Sequence, residues 1–597
     1  MDMILCGNNL NRSNIMKKAF YILFAAVCLF ILSCSGQKYT DITILETTDL
    51  HGMLWPYDYT EKRSVDASLA AVHGYVRKVR AEHENVVLLD NGDNIQGQPS
   101  VYYYNFIDTL TPHMISRAFN YMNYDAASVG NHDIEAGHSV YDRLVSEYKF
   151  PLLAANAVHT SSGEPYFKPY AIITRKGVRI AVLGLITPAV PTWLPDELYS
   201  GISFMDMTET ARKWMPVIQR EKPDLIIGLF HSGWDRSRNI SEEGINDENG
   251  SVSVAYNVPG FDIIFNGHDH RTANEFFVNS ADDSVLILNG GSRAQSIARA
   301  DVRIASGKTK GKKIMRISGE VVTVAGLAPD EEYIEKFRSD DEVIKAYVDR
   351  KIGKSVATVT SRDSYFGPSA FVDLIHSIQI DITGADVSFA APLSFDVKID
   401  EGDVTVGDMF KLYRFENMLY TMLLSGEEIR SYLEFSYAGW FNTMKSADDN
   451  LLRFREKDGA VMLTDGKAWL RNQPYNFDSA SGIEYTVDVS KPEGARVKIS
   501  GFTDGRAFDP KMSYKVAVNS YRGNGGGGHF TEGAGISGPD LRKRLLKSTD
   551  RDLRYYIMKS IEQSKIIDPR PGANWKVIPE DWVLKARSRD YALLFGK

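Results

Sequence analysis

Apolar residues up to about residue 320 are gathered into short runs of strand length, separated by polar turns and by stretches with helical spacing. Ile42-Thr43-Ile44-Leu45, Val86-Val87-Leu88-Leu89, Leu225-Ile226-Ile227 and Ile263-Ile264-Phe265 are such runs, and each predicts a buried strand. Further strands are expected at Ala171 to Ile173, Arg179 to Leu185, Val285 to Leu288 and Ala300 to Ile304, with a hairpin loop at the Lys-rich turn Gly307 to Lys313. Leu69, Val72, Val76 and Val79 recur at helical spacing within 67–84, and Ser139 to Tyr148 reads as another helix. This alternation predicts an α/β domain. Parallel-type units followed by late antiparallel pairs point to two mixed sheets packed as a sandwich with helices outside.

Ala328 to Lys351 then reads as one helix, with Pro329 near its start, Asp330, Glu331 and Glu332 in the first turn and Gly353 past its end. It predicts a linker over 328–354 between a first domain at 40–327 and a second, α+β domain at 355–560. That second domain is expected to hold a helix from Pro368 to about Ile380, a strand at Val387 to Phe389 and a helix opened by Ser425-Gly426-Glu427-Glu428. Strands near Ile483 to Val489 and Tyr514 to Val518 and the glycine run Gly525 to Gly528 follow. Residues 561–597 form a C-terminal extension whose Trp575, Trp582 and Leu593-Leu594 are candidates to pack back on the body. A chain of 597 residues is too long for one core, in keeping with this division.

The N-terminus changes the picture of where the protein acts. Met16-Lys17-Lys18 begins a basic head, followed by the apolar run Ala19 to Leu32, too short for a membrane span but of signal-peptide size. Ile31-Leu32-Ser33-Cys34 looks like a lipoprotein signal, so residues 16–34 are expected to be a signal peptide with lipidation on Cys34. The expectation is an exported protein on the periplasmic face of a bacterial membrane, or a soluble periplasmic one if Cys34 is incidental. Met16 is an alternative start. Cys6 and Cys28 lie upstream of Cys34, so a processed chain would have no internal disulfide, which a core of this size does not need. From Cys34 onward there are 76 acidic against 66 Lys and Arg residues, which argues against a nucleic acid polymer as partner. A monomer is expected.

Candidate chemistry concentrates in five islands near the ends of the predicted strands: Asp49-Leu50-His51-Gly52, Asn91-Gly92-Asp93-Asn94, Gly130-Asn131-His132-Asp133, Leu229-Phe230-His231-Ser232 and Gly267-His268-Asp269-His270. A sheet with its strand ends facing one way gathers them on one rim. Asp, His, Asn and His there make a metal-ligand set of hard oxygens and imidazoles. Asp49 and His51 are spaced to reach one ion across a turn. Asp93, after Gly92, can present a carboxylate between two ions, Asn131 offers a neutral amide oxygen, and His132 beside it can face substrate. His231, His268 and His270 complete the set. His73, His83, His113, His138 and His159 read as surface or core histidines. There is no P-loop sequence, and no cysteine is placed as a nucleophile.

The order D-x-H-G, G-D-N, G-N-H-D, H-S-G and G-H-D-H resembles the calcineurin-like metallophosphoesterase superfamily. Over about residues 40–560 the chain is similar to the two-domain 5′-nucleotidase family, and within it to the bacterial 2′,3′-cyclic-nucleotide 2′-phosphodiesterase/3′-nucleotidase branch. The resemblance implies a four-layer catalytic sandwich followed by an α+β nucleotide-binding domain. It also implies two divalent metal ions, Mn or Zn before Mg, Co, Ca or Fe. Asp49, His51, Asp93 and His270 would hold the first and Asp93, Asn131, His231 and His268 the second, with Asp93 bridging. His132 matches the family's catalytic histidine, and Glu135 stands where a supporting carboxylate is common.

In the second domain Phe415-Glu416-Asn417 resembles the family's aromatic-x-Asn element, and Tyr521 in Asn519-Ser520-Tyr521-Arg522-Gly523 its opposing aromatic, so Phe415, Asn417 and Tyr521 are the substrate-binding candidates. Two rings on a base tolerate different bases. Ala390-Ala391-Pro392-Leu393-Ser394 replaces the Arg-ending loop of 5′-nucleotidases, and Gly527 replaces their Asp. Tyr432-Leu433-Glu434, Trp440-Phe441-Asn442 and Tyr475-Asn476-Phe477-Asp478 resemble the cyclic-phosphodiesterase branch. The implied function is hydrolysis of 2′,3′-cyclic nucleotides and then of 3′-nucleotides to nucleoside and phosphate, by in-line attack of a metal-bound hydroxide. The alternative is a 5′-nucleotidase or UDP-sugar hydrolase with the same dinuclear centre.

Overall fold

The computed structural model describes residues 38–237, 247–307 and 311–596. The signal-peptide reading, Cys34 included, lies outside the described residues. In the first domain β1 (Lys38–Thr47), β2 (Val86–Asp90), β3 (Ala126–Ser128) and β4 (Leu152–Leu153) are followed by β5 (Tyr170–Arg175), β6 (Val178–Ile186), β7 (Leu225–His231) and β8 (Ile263–Asn266). The domain continues through β9 (Thr272–Val278), β10 (Ser284–Gly290), β11 (Ser296–Gly307) and β12 (Gly311–Thr323). One sheet has the order β12-β11-β1-β2-β3-β4 and the other β9-β10-β8-β7-β6-β5. Strands β1 to β4 are parallel to one another, as are β6, β7, β8 and β10, while the flanking pairs are antiparallel.

Alternation along each strand sends one set of side chains between the sheets. Ile42, Ile44, Val87 and Leu89 from the first meet Ile180, Val182, Ile227, Leu229, Phe265 and Leu288 from the second in a dry core, each such side chain contributing roughly 1.5–3 kcal/mol on burial. The outward-facing set is covered by helices. Leu69–Glu82, capped by Ser68 accepting from the Ala71 N–H, closes the first sheet, and Met207–Arg220 and Ser251–Asn257 close the second. The result is the expected four-layer sandwich. The hairpin β11–β12 also forms, pairing Gly307 with Gly311.

The stretch expected as one helix from Ala328 to Lys351 is two, Glu331–Lys336 and Arg338–Asp349, and Lys351 already starts a strand, Lys351–Ser355. Phe337 breaks the helix at φ −111° and ψ 18°. Its ring is buried against Tyr333 and Tyr121, and this packing pulls the backbone out of register with helical spacing.

The second domain is built on a sheet ordered Ser479–Ser481, Val387–Ala390, Ser513–Asn519, Met418–Ser425 and Leu545–Asp552. Helices Ala370–Thr383, ended by Gly384 in the left-handed region, and Gly426–Trp440, opened by a Ser425/Glu428 capping box, pack on it. The C-terminal extension is part of this body. Trp575–Ile578 pairs with Ile483–Asp488, the Trp575 ring stacks on Tyr485 at 5.6 Å, and Val583, Ala586 and Leu594 from the last helix enter the core. One apolar cluster runs from the helices over the first sheet into Phe410, Phe371, Ile375 and Ile557 of the second domain, so the seam between the domains is itself core.

Candidate metal centre

Every ligand candidate lies at or just beyond the C-terminal end of a parallel strand. Asp49 and His51 follow β1, Asp93 follows β2, Asn131 follows β3, His231 ends β7, and His268 and His270 follow β8. Turning so many side chains back over one rim requires unusual backbone. Asp49, His51, Asp93, His268 and His270 have φ of 51, 48, 59, 72 and 58°, a left-handed conformation that costs a residue with a Cβ roughly 1–2 kcal/mol and that clusters at functional sites. Two glycines make room. A Cβ on Gly92 would run into the Gly130 backbone, and one on Gly130 into the Asp93 carboxylate, so the β2 and β3 loops can touch and bring Asp93 beside Asn131.

The donors form two groups. Asp49, His51 and His270 converge, with His270 Nε2 3.3 Å from Asp49 Oδ1 and the Nε2 atoms of His51 and His270 3.0 Å apart. Asp93, His231 and His268 form the other, His231 Nε2 lying 3.1 Å from Asp93 Oδ2. The Asn131 amide oxygen sits 3.2 Å from His231 Nε2 and 2.8 Å from His268 Nδ1, in the position of a further donor to the second group. Asp93 Oδ1 accepts the His132 N–H at 2.8 Å.

The ring nitrogens not facing these centres are fixed from behind. His51 Nδ1 meets the Gln96 carbonyl at 3.1 Å and His231 Nδ1 the Asn91 carbonyl at 2.6 Å, so each ring donates backwards and leaves Nε2 forward, the usual arrangement for imidazole ligands. His268 is reversed: Nδ1 faces the centre, and Nε2 is 3.0 Å from Glu248 Oε1. Burial holds the His51 imidazole down to about 3, hence neutral and able to coordinate. Burial alone would raise the Asp93 carboxyl, but the charges of His231 and His132 overcome it and hold it well below the usual range. Mutually facing, pre-oriented imidazoles around two buried carboxylates suit divalent cations.

His132 belongs to neither group. It lies on the short helix Asn131–Glu135, its Nδ1 2.5 Å from Glu135 Oε2 and its ring 5.5 Å from that of His51, with 27% of the side chain exposed. Burial would lower its pKa, yet Asp93 and Glu135 raise it to about 10, so the partly exposed ring is an acid able to donate. Of the other histidines, His113 caps the helix Met114–Met122, His73 is 3.3 Å from Asp330, and His138 bonds the Ser200 carbonyl, all away from the centre.

Three contributors escaped sequence reasoning. Asp133 accepts from the N–H groups of Gly130, Asp93 and Asn94 and so ties the β2 and β3 loops together. It is the last letter of the G-N-H-D motif, so a signal was there. Glu248 sits in a polar loop with no pattern to mark it. Trp193, in the loop after β6, lays its ring on His268 at 5.4 Å while its carbonyl accepts from Asn524 of the second domain at 3.3 Å.

In the second domain Tyr521 rests on Gly526, where a Cβ would clash with its ring, with Arg522 5.3 Å over its face. Phe415 meets Tyr475 edge-on at 6.1 Å. No ring contact joins Phe415 to Tyr521 among the described residues. Asn417 is buried, its amide 3.5 Å from the Tyr413 hydroxyl. Arg522 is fully enclosed and pairs with Asp478 at 3.0 Å, and it fills the space behind Gly527, where a Cβ would strike its Nη1.

Comparison with known families places this geometry. The sequence model of the calcineurin-like phosphoesterase family matches residues 42–272, and that of the 5′-nucleotidase C-terminal domain matches 348–532. The chain thus carries a calcineurin-like phosphoesterase domain followed by a 5′-nucleotidase C-terminal domain. It is a hydrolase whose family implies divalent metal ions. The phosphoesterase is 26% identical to the 2′,3′-cyclic-nucleotide 2′-phosphodiesterase/3′-nucleotidase of Haemophilus influenzae, over 94% of this chain and 92% of that one. It is also 24% identical to Protein UshA of Escherichia coli, over 88% and 94%. Against the trifunctional nucleotide phosphoesterase protein YfkN of Bacillus subtilis it is 26% identical over 91% of its own length but only 39% of the relative's. A putative 5′-nucleotidase from Staphylococcus aureus shares its fold with TM-score 0.72 at 20% identity, covering 90% of this chain and all of that one. A 5′-nucleotidase precursor from Thermus thermophilus gives 0.60 at 21%, covering 91% and all of that chain. Among the described residues no helix is long and apolar enough to cross a membrane.

Proposed function

We propose that the phosphoesterase hydrolyses 2′,3′-cyclic nucleotides and then the resulting 3′-nucleotides. Asp49, His51, Asp93 and His270 would hold one ion and Asp93, Asn131, His231 and His268 the other, with Mn or Zn as the native metals. Ions held there lower the pKa of water and neutralise phosphoryl charge. The chain's own part is to orient these donors, to present the ring Nε2–H of His132 toward the phosphoryl oxygens and leaving group, and to keep that ring turned through Glu135. Phe415 and Tyr521 are proposed to stack on the base, with Asn417 supporting the Phe415 loop.

The observation that carries the choice of substrate is the Arg522–Asp478 pair behind Gly527. At the position where 5′-nucleotidases bring a carboxylate to the ligand, this chain has a glycine backed by a guanidinium that already has its partner. Stacking without that polar reader favours a broad range of bases. The test is kcat/KM for 2′,3′-cAMP, 3′-AMP, 5′-AMP and a UDP-sugar under one metal condition. The cyclic substrate is expected to lead, and a preference for 5′-AMP above about tenfold, roughly 1.4 kcal/mol, would replace this reading with a 5′-nucleotidase.

The protein is further proposed to be a monomeric periplasmic lipoprotein anchored through Cys34, on the strength of the Met16-to-Cys34 pattern. Labelling with a fatty-acid analogue checks this: wild type should take up label and Cys34→Ser should not.

A further inference from the structure

At the end of the sandwich opposite the ligand rim lie two adjoining cavities that the hydrolytic site does not use. The first, of about 370 Å³, is lined by Arg80, Arg175, Lys149 and Asp125 together with Tyr124 and Phe150. It opens where β2 starts at Val86 and where Asp125 leads into β3, the N-terminal ends of strands whose far ends lead to Asp93 and Asn131. The second, of about 730 Å³, is walled by the rings of Tyr148, Phe150, Tyr166, Phe167 and Trp214. Lys149 and Phe150 line both, so one continuous recess has a cationic half and an aromatic half.

The guanidinium groups of the cationic half are held by backbone. Arg80 donates from Nη1 to the Met122 carbonyl at 2.6 Å and from Nη2 to the Asn123 carbonyl at 3.0 Å, at the C-terminal end of the helix Met114–Met122. Arg175 donates from Nε to the Val86 carbonyl at 3.0 Å, from Nη1 to the Thr174 carbonyl at 3.2 Å and from Nη2 to Asp125 Oδ1 at 2.5 Å. A guanidinium has five N–H groups, so both keep donors beyond these contacts. Lys149 is exposed, and its ammonium has no acceptor among the described residues. Three cations thus meet one carboxylate, and Asp125 already serves Arg175 and the Leu88 N–H. In a chain of formal net charge −8, a recess with this positive excess collects anions, and fixed guanidinium forks match phosphate oxygens.

The aromatic half indicates what carries the anion. Tyr148 and Phe150 stack at 4.7 Å, and half-buried Trp214 projects from the helix Met207–Arg220. Its charged side chains, Lys149, Lys168 and Glu164, leave it without a net negative charge. A cleft of aromatic rings beside a few fixed polar groups is the usual composition of a small-molecule site, and ring faces stack on flat heterocycles whatever their edges.

We infer that this recess is a second, non-catalytic site for a nucleoside monophosphate, with the phosphate among Arg80, Lys149 and Arg175 and the base in the cleft between Phe150 and Trp214. The choice of a nucleoside as the ring body rests on the nucleotide reading of the catalytic site, whereas the pocket for a phosphomonoester does not. An occupant would tie the helix end at Asn123 to the starts of β2 and β3, the two strands that carry Asp93 and Asn131 at their other ends.

The test is calorimetric titration of the full chain, loaded with Mn²⁺, with an analogue of 3′-AMP in which a methylene group replaces the 3′ ester oxygen and prevents hydrolysis. Wild type is expected to bind two equivalents. Substituting Phe415 and Tyr521 together by Ala should weaken one and spare the other. K149E, which sets a carboxylate in the cationic half, should weaken that other one by about 10–100-fold, the scale of a charge-assisted hydrogen bond, with hydrolysis of an aryl phosphodiester unchanged. Trp214→Ala should weaken the analogue at this site but not inorganic phosphate. Wild type alone also reads the site, whatever the folding of the variants: adenosine and inorganic phosphate should each bind there at least about tenfold more weakly than the joined compound, and raised salt should weaken the analogue. No binding, a single equivalent lost with Phe415 and Tyr521, or a second equivalent indifferent to K149E and to salt overturns the site. A single equivalent lost with K149E sustains it and counts instead against the nucleotide reading of the catalytic site.

Discussion

His132 Nδ1 lies 2.5 Å from Glu135 Oε2, one turn further along the same five-residue helix. This contact engages Nδ1 and leaves the other ring nitrogen without a partner among the described residues. Replacing His132 with Ala should therefore lower kcat by about 10²–10⁴-fold, the usual range for a lost proton donor, while bound metal measured by elemental analysis stays at the wild-type level. Glu135→Gln, which keeps a hydrogen-bond acceptor but loses the charge, should cost less, about tenfold. Equal loss of metal and activity in His132→Ala would make it a ligand instead.

Asp93 faces His231 with one oxygen and the His132 N–H with the other. Asp93→Asn should remove bridging charge, reduce metal content and depress phosphodiester hydrolysis by about 10³-fold or more. Metal-stripped wild type should melt at a lower temperature and recover on adding Mn²⁺, because an ion at about 100 times its Kd stabilises the folded state by about 2.7 kcal/mol. A melting temperature indifferent to EDTA and Mn²⁺ would count against the centre.

Glu248 reaches His268 Nε2 from outside the ligand set. Glu248→Ala should weaken metal affinity by about 10–100-fold at the group containing Asp93, His231 and His268, with the Asp49 group spared. Stepwise metal titration followed by calorimetry separates the two.

Removing Phe415 or Tyr521 by substitution to Ala should raise KM for nucleotides by about tenfold, from the ~1–3 kcal/mol of one base stack. KM for a small aryl phosphodiester should move far less. A uniform rise for both substrates would mean that the rings support the fold instead of the base.

The candidate ligands could be gathered because their logic is one-dimensional: short apolar runs predict strands, and Asp49, Asp93, His231 and His268 come soon after them, whereas Asn131 is marked by its motif alone, the three-residue strand Ala126–Ser128 before it being too short to read. What could not be read depends on which loops meet. Asp133 is visible as a letter of a motif, yet its work of receiving the Gly130, Asp93 and Asn94 N–H groups exists only once the β2 and β3 loops touch. Glu248 is an acid in a polar stretch until His268 arrives beside it. The single helix read over 328–351 fails at Phe337 for a related reason: its periodicity continues across the break, and only the pocket formed by Tyr121 and Tyr333 decides that the ring goes inward.

β1 lies between β2 and β11, so that Ile44 pairs with Val87 on one side and Ala300 on the other. As the chain emerges from its N-terminus the β2 side can close early, but the other edge of β1 stays unpaired until residues 298–306 have emerged. Bare strand edges of this kind recruit other chains, and domains generally mature in order of synthesis. A chain that has emerged past Asp90 but not yet to Ala298 would therefore display the edge of its own central strand, making that interval the one in which a holding chaperone has most to protect.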